Sequence, residues 1–220
     1  MRTGRKTYFK WYTLGEEIAN SVTHGVGALL SLAAMALLVA RAASHAPAGL
    51  VGPYVVGTSI FGASLVILYL MSTLYHSIAH PPTKSFFAIL DHNAIFILIA
   101  GTYTGYCLSV LYGPLGWVYF GIVWALAALG ILIYSIYRER AHWVTFALYL
   151  VMGWLVLLIG RQMYDVLPPV SWNLLLFGGI TYTLGCVFFL MKKIRWMHSI
   201  WHLFVLGGSV QHFFSLYFAI

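Results

Sequence analysis

Charge is what this 220-residue chain has least of. Asp and Glu number only five and Lys and Arg twelve, so charged residues make up 8% of the chain against 61% hydrophobic. So few charges cannot keep the surface of a soluble fold hydrated. With a mean hydropathy of +0.87, the composition excludes an ordinary soluble domain. Cysteine is nearly missing. Cys107 and Cys186 stand alone in apolar stretches without a CxxC pair, which excludes a disulfide framework and a thiolate metal site and leaves two small core residues. Proline is missing from the middle of every apolar stretch. All seven fall at stretch ends or between stretches: Pro47, Pro53, Pro81, Pro82, Pro114, Pro168 and Pro169. Low-complexity tracts are absent, and no internal repeat is strong enough to argue an inverted-repeat transporter.

What remains is apolar sequence in lengths that suit a bilayer. A spanning helix needs about 20 mostly apolar residues. Seven stretches meet that requirement, roughly 18–43, 53–78, 86–112, 115–137, 142–163, 172–191 and 197–219. Backbone groups in lipid must be satisfied within their own segment, so the expectation is an all-α integral membrane protein, a seven-transmembrane helix bundle. Residues 1–17 form a polar N-terminal segment and 18–220 the helical domain, with no room for a separate soluble domain. No short apolar run with a cleavage site follows residues 1–16, so the first helix is expected to be retained. Short connections make consecutive helices antiparallel neighbours.

Orientation follows from the basic residues. Arg2, Arg5, Lys6, Lys10, Lys84, Arg138, Arg140, Lys192, Lys193 and Arg195 lie on one side, and only Arg41 and Arg161 on the other. That asymmetry places the N-terminus in the cytoplasm and the C-terminus outside. The formal net charge of +7 is then accounted for by loops that meet anionic membrane lipids, and nucleic acid is not an expected partner.

The scarce polar residues converge on one depth. His198 and His202 open the last stretch four residues apart, on one helical face, with Cβ atoms about 5–6 Å apart. That spacing lets two imidazoles hold one metal ion. His76 ends the second stretch within Ser72-Thr73-Leu74-Tyr75-His76, and Asp91 opens the third. In the topology above, all four lie in the cytoplasmic leaflet. Three imidazole nitrogens and a water make a common catalytic zinc arrangement, with the water's position open to substrate. Asp91 can either bind the ion directly or hold its water, and the second role suits a carboxylate that acts as base. The first stretch adds Glu17, Asn20 and His24 on one face by their i, i+3, i+7 spacing, with Thr23 adjacent. A hydrated helix start accounts for Glu17 and Asn20 without a site. His24 lies deeper and is expected as an interhelical hydrogen-bond partner rather than a ligand.

The remaining histidines have bland readings. His45 and His80 are expected in solvent and His142 at the interface, while His92 points about 100° away from Asp91. His212 lies about 21 Å along the helix from His198, too far to share the site. Asp165 pairs with Arg161 at i, i+4. Gly101-Thr102-Tyr103-Thr104-Gly105 and Gly207-Gly208-Ser209 suit close helix packing.

Four motifs carry a family resemblance: Glu17-x-x-Asn20-x-x-Thr23-His24, Ser72-x-x-x-His76, Leu90-Asp91 and His198-x-x-x-His202. In this order the chain resembles the bacterial hemolysin III family, within the progestin and adipoQ receptor (adiponectin-receptor-like) group. One departure is Gly105, where the pattern has proline. It bears on a kink in the third helix more than on the metal site. The resemblance implies a bacterial inner-membrane location and zinc on His76, His198 and His202. It places Asp91 near the zinc-bound water and Ser72 one turn before the first ligand. Three functions are then open. The leading one is a zinc-dependent hydrolase of a lipid-like amide or ester, in which Asp91 takes the proton and Ser72 stabilises the oxyanion. The second is a receptor-like or homeostatic membrane protein whose zinc clamps helices. The third, a pore-forming cytolysin, fits poorly, because a retained multi-pass chain offers no evident secreted form.

Overall fold

A computed structural model describes residues 12–191 and 193–220. The basic residues Arg2, Arg5, Lys6, Lys10 and Lys192, and most of the N-terminal segment, lie outside the described residues. Among the described residues the structure is helical, with no strand. The helices are α1 (Leu14–His45), α2 (Val51–Ser77), α3 (Pro81–Cys107), α4 (Pro114–Tyr137), α5 (His142–Trp154), α6 (Gly160–Val166), α7 (Pro169–Leu190) and α8 (Met197–Ala219). Short 3₁₀ turns, Arg138–Ala141 and Leu155–Ile159, join α4 to α5 and α5 to α6. Among the described residues, five stretches are long and apolar enough to cross a membrane: α1, α2, α3, α7 and the continuous run Pro114–Val166.

Apolar side chains fill much of the interior, but the buried face of α1 is rich in polar residues and its outward face is apolar. Along α1 the buried positions are Glu16, Asn20, His24, Gly27, Ser31, Leu38 and Ala42, while Leu14, Ile18, Val22, Leu29 and Leu37 are exposed. The buried hydroxyls of Ser31, Thr58, Thr102, Thr104 and Ser109 each donate to a carbonyl four residues back, so they bury no unpaired donor. Small residues bring backbones together. A Cβ on Gly105 would sit 2.7 Å from Leu216, one on Gly208 2.9 Å from the Tyr182 ring, and one on Gly101 would collide with Ser64. Both glycine motifs therefore lie at close helix contacts, as their composition suggests.

The packing order positions the site. α1 lies on α2, α2 on α3 and α3 on α4, α7 lies on α8, and α8 returns to α1. The first and last helices thus sit side by side, which brings His198 and His202 to the helices that carry Glu17 and His76.

Two boundaries differ from the sequence expectation. The third helix runs over residues 81–107 rather than 86–112. Pro81 and Pro82 occupy its first turn, where a missing N–H costs nothing, instead of marking a break before it. The stretch expected as one helix over 142–163 is interrupted by the 3₁₀ turn at Leu155–Ile159. Tyr103 of α3 stitches that break: its hydroxyl accepts from Val156 N at 2.7 Å and donates to Gly153 O at 3.3 Å.

Candidate metal centre

His76 lies near the end of α2, buried, with its two ring nitrogens in contrasting surroundings. Its Nδ1 is 2.7 Å from Glu17 Oε2. A carboxylate can only accept, so Nδ1 carries the hydrogen and Nε2 presents a lone pair. That buried Nε2 has no hydrogen-bond partner among the described residues. A buried imidazole nitrogen polarised in this way and without a hydrogen-bond partner suits a metal ligand, since buried polar atoms are otherwise paired.

The other two imidazoles come from the first turns of α8. His202 is fully buried and His198 half-buried. Thr23 Oγ1 donates to Ala19 O at 2.8 Å, so at 3.5 Å from His202 Nδ1 it can only accept. This again leaves Nε2 as the free ligand atom. His202 Nε2 and His198 Nε2 are 3.1 Å apart, close to the roughly 3.3 Å between two donors on a tetrahedral ion with Zn–N near 2.0–2.1 Å. The ring centroids are 5.1 Å apart for His76–His202, 5.3 Å for His76–His198 and 4.7 Å for His198–His202. All three residues offer a nitrogen within 4.8 Å of the others, so the cluster could hold a metal ion.

The surrounding residues hold this triad in place. Asn20 Oδ1 accepts from Ser199 Oγ at 2.6 Å and ties α1 to α8 between the two histidines. Glu16 starts both helices at once. It forms a capping box with Thr13 on α1, and its Oε1 accepts from Trp196 N at 2.9 Å. Trp196 adopts a left-handed φ of 66°, uncommon for a bulky residue, and this contact anchors the strained turn directly before His198. Tyr12 stacks on His198 with centroids 4.8 Å apart and lies 5.6 Å from His76. Burial, and then the nearby Tyr75, Asp91 and Glu17, push its phenol well above the ordinary tyrosine range, so it covers the triad as a neutral ring.

The other expected residues fall around the triad rather than within it. Asp91 is buried on α3, outside the three-histidine set, with one oxygen 4.0 Å from His92 Nδ1. Ser72 is buried one turn before His76, and its hydroxyl has no partner among the described residues. His24 stacks on His202, with centroids 3.5 Å apart and 10° between planes. The sequence suggested a hydrogen-bonding role for it, yet neither ring nitrogen finds a partner among the described residues. Asp91 and His24 both line an apolar cavity of about 1060 Å³, counting its open mouth. Trp201, Tyr149 and Tyr182 shape its walls, and His212 lies in its lining with Nε2 3.2 Å from Leu175 O. A second space of about 500 Å³ shares Thr102, Tyr103, Gly153, Trp154, Gly179 and His212 with it. Both border the broken α5–α6 segment, at Gly153 and Trp154.

Sequence reasoning missed two residues. Glu16 was legible, because Thr13-x-x-Glu16 is a capping-box pattern. Lys84 was counted among loop cations that meet lipid headgroups, but it is only 3% exposed. Its ammonium is 3.1 Å from Glu17 Oε1 and 2.7 Å from Tyr75 O.

Comparison with known proteins places this geometry in context. The family model described as Haemolysin-III related matches residues 12–213. Hemolysin-3 of Bacillus cereus is 46% identical over 203 residues, covering 92% of this chain and 91% of that one. The hemolysin-3 homolog of Bacillus subtilis (strain 168) is 45% identical over 207 residues, covering 94% and 95%. A human protein, monocyte to macrophage differentiation factor, is 30% identical over 166 residues, covering 72% and 68%.

Proposed function

The chain belongs to the haemolysin-III-related family of multi-pass membrane proteins, and on that premise we propose that its three histidines hold zinc in an intramembrane hydrolase of a lipid-like amide or ester. The buried, unpartnered Nε2 of His76, facing two further imidazoles beside an apolar cavity, carries the reading. His76, His198 and His202 would hold the ion. Zinc bound there would supply a water of pKa near about 7 and a Lewis acid for a carbonyl.

The chain's own groups have separate tasks. Glu17 and Thr23 fix the tautomers of His76 and His202, keeping both Nε2 lone pairs directed at the centre. Asp91, a carboxylate in the cavity wall, is the proton acceptor. Ser72 Oγ, buried without a partner, is a hydroxyl donor for a developing oxyanion. The apolar lining suits an acyl chain and excludes bulk water, and membrane lipids are the natural substrates.

We read the topology as seven spans. The run Pro114–Val166 contains 53 residues, about 80 Å if it were one straight helix, against a hydrocarbon core of about 30 Å. The charged turn at Arg138–Ala141 divides it into two passes, and α8 supplies the last. The positive-inside asymmetry puts the N-terminus in the cytoplasm and the C-terminus outside, and the bacterial relatives favour the inner membrane.

A structural zinc clamp is the second reading, favoured by ligands that come from α2 and α8. Asp91→Asn separates the two. Wild-type and variant proteins in detergent are offered a panel of lipid amides and esters, and bound metal is measured in parallel. The hydrolase reading expects turnover reduced at least about 100-fold with metal content unchanged. No turnover by either protein, with metal retained and stability lost on chelation, favours the clamp. Cytolysis, suggested by the relatives' names, is opposed by the multi-pass architecture.

A further inference from the structure

Glu17 is held on both of its oxygens, and only one contact belongs to the histidine triad. Oε2 takes the Nδ1 hydrogen of His76 at 2.7 Å, and Oε1 lies 3.1 Å from Lys84 Nζ. Lys84 is fixed in turn: its ammonium donates to Tyr75 O at 2.7 Å and sits 4.6 Å from the centre of the Tyr75 ring. Tyr75 immediately precedes His76 on α2. The Lys84 side chain is 3% exposed and Glu17 14% exposed, so both charges are largely shielded from water. A buried cation costs several kcal/mol of desolvation unless it is paired, and a positive charge near three metal-binding imidazoles opposes a divalent ion. Among the described residues the Glu17 carboxylate is the one opposite charge in contact with Lys84, and together with the Tyr75 carbonyl and ring it offsets that opposition.

We propose that Lys84 is a positioning residue for the metal centre: anchored on the Tyr75 carbonyl, its ammonium holds Glu17 Oε1 and so fixes the carboxylate that orients His76. Three helices meet in this chain of contacts, Lys84 on α3, Glu17 on α1 and His76 on α2. A carboxylate with one free oxygen can rotate about its terminal torsion. With Oε1 fixed, Oε2 stays on Nδ1, and the lone pair of His76 Nε2 keeps its direction toward His198 and His202. The outer partner of a metal-binding histidine commonly changes metal affinity by about 10–100-fold, and Lys84 acts on that partner.

This inference rests on the metal reading, and the experiment separates the two. Wild type, Lys84→Met, Glu17→Gln and the double variant are purified in detergent and stripped of metal. Each is titrated with zinc against a chelating competitor, and cobalt(II) spectra report ligand geometry. Zinc affinity should fall about 10–100-fold in Lys84→Met, with a changed cobalt spectrum. In the Glu17→Gln background Lys84→Met should cause no further loss, because the lysine acts through the carboxylate. If Lys84→Met does not fold, Lys84→Gln replaces it under the same comparison. Unchanged affinity with a lowered melting temperature, or losses that add fully in the double variant, overturns the inference alone. Failure of the wild type to take up zinc or cobalt overturns the metal reading and this inference together.

Discussion

Separate removal of the two α8 histidines gives the sharpest test of the triad, because their burial differs while their proposed ligand role does not. His202 is 0% exposed and stacks on His24 with centroids 3.5 Å apart, whereas His198 is half-buried. An ion that binds only the folded protein, at a free concentration 100 times its Kd, stabilises it by about 2.7 kcal/mol. For a chain of this size 1 kcal/mol corresponds to about 2–4 °C in Tm, so chelation of the wild type should lower Tm by about 5–11 °C. His198→Ala should abolish that response while its metal-free Tm stays near that of the metal-free wild type. His202→Ala should abolish it too, and also lose about 3 kcal/mol, the low end for removal of a buried ring to alanine, or a further 6–12 °C. The assay is thermal unfolding in detergent, with and without metal, followed by intrinsic fluorescence. A metal-dependent rise that survives in His198→Ala, or its absence in the wild type at saturating metal, refutes the reasoning.

Two other outcomes follow from buried groups. Ser72→Ala removes a hydroxyl that has no partner among the described residues, so Tm should hold or rise slightly, while lipid turnover falls about 100-fold or more if the hydroxyl serves the oxyanion; a clear loss of Tm would show that it is paired. Gly62→Ala places a Cβ 2.9 Å from the Met35 backbone on α1, so the two helices must separate at a cost of about 1–3 kcal/mol; an unchanged Tm would refute that close approach.

The site was legible in the sequence where its signal was local. His198 and His202 are one turn apart on a single helix, and the depth of His76 followed from the end of an apolar stretch. Burial of a charge was not legible, because it depends on what other helices bring. Lys84 counts as a loop cation in a charge tally, yet α3 begins at Pro81, which places Lys84 in its first turn and against Glu17. The break at Leu155–Ile159 was hidden for a similar reason, since no proline marks it and its backbone is held by the Tyr103 hydroxyl from another helix. His24 shows the opposite limit. Its face was predictable from spacing, but its role as a ring packed on His202 was not.

The triad's split between α2 and α8 also bears on how the protein is made. The ribosome delivers His76 early, with Glu17 already available to orient it, but the other two imidazoles belong to the final helix. A nascent chain therefore cannot assemble the three-nitrogen set until that helix has entered the membrane and docked on α1. Uptake of an ion would then mark completed insertion, and a chain truncated before Met197 would leave His76 without its partners.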